Sequence, residues 1–99
     1  MKTRFLINSE IFELDPNPPA GRPLTYDEKL EEAYKYYEKH YKEDGYIFDK
    51  ENEDVYIIFD EQFDFKEGDR ITISEITRLV IWKDVNITNR IITYYLEEE

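Results

Sequence analysis

The sequence predicts an α+β fold: a mainly antiparallel sheet of about five strands with one amphipathic helix packed on it. Three observations lead there. Residues 26–44 repeat their apolar side chains with a helical period, and the other apolar stretches are short and rich in β-branched and aromatic residues. The turns between those stretches are brief enough to join neighbouring antiparallel strands, and one helix over such a sheet is a two-layer solution for a single core. Ninety-nine residues make a single domain, 1–99, with one modest core. Six Phe, nine Tyr and one Trp supply the bulk for that core, which argues against a disordered chain despite the high charge.

Residues 3–14 are rich in β-formers and read as one or two strands broken near Asn8-Ser9. Residues 15–24 form a Pro-rich connection that holds all four prolines and Gly21, so neither helix nor ladder runs through it. Thr25 followed by Glu28 is a capping box, and Leu24 supplies half of a hydrophobic staple. From there Tyr26, Leu30, Ala33, Tyr34, Tyr37 and Tyr41 fall on one helical face, and Gly45 supplies the stop. The resulting helix is roughly 28 Å long, enough to cross a small sheet.

Tyr46-Ile-Phe-Asp and Asp54-Val-Tyr-Ile-Ile-Phe-Asp flank a polar turn, Lys50-Glu-Asn-Glu53, and read as a hairpin. Glu67-Gly68-Asp69 marks another turn. Residues 70–83 alternate as one strand whose change of phase near Ser74-Glu75 suggests a bulge, with Arg78, Val80 and Trp82 in one phase. A turn at 84–89, a final strand at 90–96 and an acidic tail at 97–99 complete the chain. Several strands are apolar in both phases: Val55 and Ile58 beside Ile57 and Phe59, and Val80 and Trp82 beside Leu79 and Ile81. One helix cannot cover two sheet faces, so the sheet is expected to curl toward a barrel or to pack on a second copy. A final strand as apolar as Ile91-Ile-Thr-Tyr-Tyr-Leu96 would be a hazardous edge, which adds to the expectation of a homodimer.

Most enzyme chemistries lack their residues. There is no cysteine, hence no disulfide, thiol or zinc-ribbon chemistry. His40 is the sole histidine and sits near a helix C-terminus, where a partly positive ring is favoured for structural reasons. Ser9 and Ser74 stand in no nucleophile pattern, and three scattered glycines make no phosphate-binding loop. The spacing from Asp49 to Asp60 imitates a calcium loop, but Asp54 stands where glycine is required. No enzymatic activity, cofactor or metal is expected. The N-terminus is too short in apolar residues for a signal peptide, and no stretch approaches the roughly 18 that a membrane span needs. Asn86-Ile87-Thr88 matches a glycosylation triplet and reads as chance within a turn.

Charge is the extreme feature. Twenty-four acids against 13 bases leave −11, and ten of the eleven excess charges lie between Tyr26 and Asp69. Glu31 with Lys35 and Glu38 with Lys42 have the spacing for mutual neutralisation on the helix. Beyond it, Asp49, Glu51, Glu53, Asp54, Asp60, Glu61, Asp64, Glu67 and Asp69 meet only Lys50 and Lys66 in sequence, and these nine are the candidate partner-binding residues. Such a field repels nucleic acid and anionic membrane and attracts basic proteins.

In size, lack of cysteine, charge balance and the acid distribution from Asp27 to Asp69, the chain resembles the small acidic DNA-mimic proteins of bacteriophages. Those proteins share no fold, so no residue roles carry over. The resemblance implies an inhibitor in the bacterial cytoplasm that occupies the DNA-binding surface of a host protein, with a basic HU-type nucleoid-associated protein as the preferred target. The alternative is an assembly or adaptor domain whose apolar strands make contacts while its acids keep it soluble.

Overall fold

The computed structural model describes residues 1–7 and 23–98, so the second part of the expected first strand and most of the Pro-rich connection lie outside the described residues. The elements are β1 (Lys2–Leu6), α1 (Tyr26–His40), a 3-10 turn (Lys42–Asp44), β2 (Ile47–Asp49), β3 (Asp54–Phe59), β4 (Arg70–Ile73), β5 (Ile76–Asn86) and β6 (Ile91–Glu98). The broad α+β class is as the sequence predicts. The sheet is larger and mixed: six strands in the order β2-β3-β1-β6-β5-β4, with β1 parallel to β6 and every other neighbour antiparallel.

The capping box forms, with Thr25 Oγ1 accepting from Glu28 N at 3.2 Å and Glu28 Oε1 accepting from Thr25 N at 3.3 Å. The helix ends earlier than Gly45, because Tyr41 leaves helical geometry at φ −124° and the chain tightens into the 3-10 turn. Gly45 closes that turn at φ 92°, a conformation that a side chain would strain.

Ser74-Glu75 proves to be a tight two-residue turn between β4 and β5, both residues at positive φ (51° and 70°), where a bulge was expected. The pair lacks the Asn-Gly signature of such turns, so the sequence hides it. The bulge lies instead at Ile81, between Val80 and Trp82. It places Val80 in the core at 1 % exposure and turns Trp82 to the opposite face. β6 is not an edge, since it pairs with β1 and β5, and it runs through Glu97 and Glu98, where a tail was expected. The sheet stays open, with β2 and β4 each having one strand neighbour among the described residues.

One sheet face carries the core. Phe5, Ile7, Val55, Ile57, Ile92, Tyr94 and Leu96 meet Ala33, Tyr37 and Tyr41, and Tyr37 Oη donates to the Tyr46 carbonyl oxygen. The loop at 60–69 also packs on this face: Phe63 and Phe65 rings stand 6.1 and 6.0 Å from Phe5. Two hydroxyls pin that loop. Thr3 Oγ1 donates to Glu61 O (2.7 Å) and accepts from Phe63 N (3.0 Å), while Tyr94 Oη donates to Phe63 O (2.8 Å) and accepts from Phe65 N (2.9 Å). Each buried hydroxyl thus uses its donor and an acceptor position on the loop backbone.

Candidate partner-binding surface

The β2–β3 hairpin gathers four of the nine predicted acids at one end. Asp49 and Asp54 are Cα partners, so their side chains leave the sheet on the same face, and Glu51 and Glu53 lie in the loop between them. Asp49 shapes the loop. Its Oδ1 accepts from Glu51 N (3.1 Å) and Asn52 N (3.2 Å), and its Oδ2 accepts from Asn52 Nδ2 (2.9 Å). The Asn52 side-chain amide, with help from the two backbone N–H groups and the more distant Arg4 charge, holds the Asp49 carboxyl below its ordinary value. Glu53 takes positive φ (55°), and its carboxylate, which lines a cleft with Tyr26 at the start of α1, raises the Tyr26 pKa. Among the described residues no lysine or arginine pairs with Asp49, Glu51 or Glu53 within 4.0 Å.

The other five acids are elsewhere. Asp60 and Glu61 follow the far end of β3, roughly 20 Å from the tip. Lys2 Nζ lies 3.7 Å from Asp60, and Lys83 Nζ donates to Asp64 at 3.3 Å, a bond that is the main reason the Lys83 pKa is raised. Lys50 and Lys66 are therefore not the only bases these acids meet; the sheet brings Lys2 and Lys83 from remote parts of the chain. Glu67 is exposed. Asp69 serves its own turn, Oδ2 accepting from Lys66 N at 2.9 Å. Lys42, in the 3-10 turn, pairs with Glu38 of α1 at 3.7 Å as its spacing predicts, but within α1 Lys35 pairs with Glu32 at 3.4 Å in place of Glu31.

Sequence reading does not find the second feature, which lies on the sheet face opposite α1. Register aligns Ile47, Tyr56, Leu6, Tyr95 and Trp82 in one row across β2, β3, β1, β6 and β5. Trp82 is 58 % exposed and Ile47 44 %, while Leu6 is buried between its neighbours. One rung to one side stand Asp49, Asp54, Glu97 and, on β5 and β4, Leu79 and Arg70. One rung to the other stand Ile58, Arg4, Thr93 and Asp84; the Arg4 guanidinium lies 5.4 Å over the Tyr56 ring, and its Nε donates to Thr93 Oγ1 at 3.1 Å. The clue was present in the two-sided apolar strands, but the bulge at Ile81 and the parallel β1–β6 pair are needed to see the row.

Two clefts flank the start of α1. One of about 230 Å³ is lined by Tyr26, Lys29, Leu30 and Glu53, and one of about 470 Å³ by Asp27, Leu30, Glu31, Tyr34, Phe48 and Lys50. His40 stands apart from both, its ring 4.3 Å from that of Tyr36, and Ser74 is in the β4–β5 turn. Among the described residues no group of three or more His, Cys, Asp or Glu is placed to hold a metal ion, and no helix is long and apolar enough to cross a membrane. No protein-family model, curated protein or solved structure matches the chain.

Proposed function

We propose that the protein is an acidic DNA mimic that binds the DNA-binding surface of a bacterial protein and blocks its access to DNA, as a phage-encoded inhibitor in a host cytoplasm would. An HU-type nucleoid-associated protein is the preferred target. The observation that carries this reading is the hairpin tip, where Asp49, Glu51, Glu53 and Asp54 stand within one short turn whose backbone Asp49 itself fixes. Duplex DNA presents one negative charge per roughly 1.7 Å of axis, and four carboxylates within the six residues 49–54 offer concentrated negative charge to a protein that grips phosphates. The tip and the Asp60-Glu61 group lie roughly 20 Å apart along β3, about the rise of six base pairs, so they have room to meet separate phosphate sites on one target.

The test is retention of proteins from a bacterial lysate on the immobilised chain, eluted with a salt gradient. A basic DNA-binding protein should bind at low salt, leave steeply before physiological salt and lose its DNA when the chain is added. Retention of nothing basic ends the proposal.

A second reading, an assembly or adaptor domain acting as a homodimer, is favoured by the exposure of Trp82, Ile47 and Val85 (58, 44 and 48 %). It loses its edge-strand motive, since β6 is paired on both sides. Sedimentation decides: a 12.1 kDa species at all practical concentrations removes it.

A further inference from the structure

We infer that the sheet face opposite α1, which carries no helix among the described residues, is the docking surface for a basic amphipathic helix of the partner, laid along the Ile47, Tyr56, Leu6, Tyr95 and Trp82 row. The inference rests on the partner being a basic protein, and it extends the contact from the hairpin tip to the whole face. Size fits. The row crosses five strands, roughly 19 Å at the usual strand spacing, which is the length of about 13 helical residues. Chemistry fits as well. The row offers two tyrosines, a tryptophan and an isoleucine, residue types that anchor interfaces, and Trp82 has most of its surface in water.

Charge selects the occupant. Asp49, Asp54 and Glu97 run parallel to the row, displaced by two residues of strand, or roughly 7 Å, which is where the flank of a helix seated on the row would project its side chains. Lysines or arginines on that flank meet carboxylates. On the other flank Arg4 is already engaged by the Tyr56 ring and Thr93, and Arg70, which ends the acidic flank, stands on β4, one strand beyond the row. A single-stranded nucleic acid would find rings to stack on, but its phosphates would face the acidic row. A second copy of this chain brings another −11 and closes the face only against that repulsion. A basic segment closes it with attraction.

Trp82 is the only tryptophan, so the chain carries its own reporter on the proposed surface. The probe is a synthetic Leu/Lys peptide of about 14 residues with helical apolar periodicity, compared with polylysine of equal charge. The expected result is a saturable blue shift of Trp82 emission with the amphipathic peptide and none with polylysine. The Asp49→Asn/Glu97→Gln variant should weaken that binding roughly fivefold, whereas Glu31→Gln/Glu38→Gln on α1, which removes the same charge, should leave it unchanged. Circular dichroism confirms that both variants fold. No shift, an equal shift with polylysine, equal weakening by both variants, or a concentration-dependent shift of the protein alone overturns the inference. Because the peptide titration is independent of the lysate experiment, a retained DNA-binding protein with no peptide response sinks the docking face and leaves the DNA-mimic reading standing. A peptide response with no basic protein retained does the reverse.

Discussion

Asp49 and Asp54 face one another across the last rung of the β2–β3 hairpin, two like charges at directly opposite positions. Such a pair disfavours the fold by a few tenths of a kcal/mol, yet Asp49 also makes three hydrogen bonds that set the loop. The bonds outweigh the repulsion. Asp49→Ala is therefore expected to destabilise the protein, by about 1 kcal/mol in urea unfolding, despite removing a negative charge from a strongly acidic chain. A more stable variant would mean that repulsion rules the hairpin.

The same carboxylate predicts a pH response. Its folded pKa lies below the ordinary 3.8, so its contribution to stability is present above that value and is lost as pH falls through the lower, folded one. Asn52→Ala removes the main cause and should move the Asp49 titration up toward 3.8, as followed by carboxyl-carbon NMR. An unmoved titration would assign the depression to the backbone N–H groups instead.

Tyr94→Phe should release the loop at 60–69 at one of its two anchor points. The hydroxyl both donates to Phe63 O and accepts from Phe65 N, and both partners are in a half-buried aromatic layer. Losing it leaves backbone groups without their bond, a cost of about 1–3 kcal/mol. Hydrogen exchange of the Phe65 amide should accelerate more than that of β6 amides. Uniform acceleration would show that the loop opens only with the whole domain.

Local signals carried much of this architecture. The capping box at Thr25 and Glu28, the helical face of Ala33, Tyr37 and Tyr41, and the polar turn between β2 and β3 are all set by residues close in sequence. What stayed hidden depends on distant parts of the chain. The parallel pairing of β1 with β6 has no local signature, and it alone turns the final strand from an edge into the middle of the sheet. Ser74-Glu75 adopts positive φ without glycine or asparagine, so one expected strand is two. The candidate acids were legible as a composition, but Lys2 and Lys83 reach Asp60 and Asp64 only through the fold.

That last difference decides which acids matter for a basic partner. Charge reversal at Glu51 and Glu53, which leaves the Asp49 turn intact, should cost binding most. These two carboxylates have no lysine or arginine ion pair among the described residues. Reversal at Asp60 and Asp64 should cost less, because Lys2 and Lys83 already cancel part of their field, and reversal at Glu32 and Glu38 on α1, which pair with Lys35 and Lys42, should cost least. An approaching partner senses charge within roughly 8 Å at physiological salt, so a carboxylate with a lysine 3–4 Å away presents little net field at that range. All three double variants change the net charge by the same amount, which makes a binding titration against an HU-type protein a direct comparison of position. Exposed charges contribute little to stability, so all three should fold, with circular dichroism as the check. Equal losses would mean that net charge alone attracts the partner, and no loss at Glu51 and Glu53 would take the hairpin tip out of the interface.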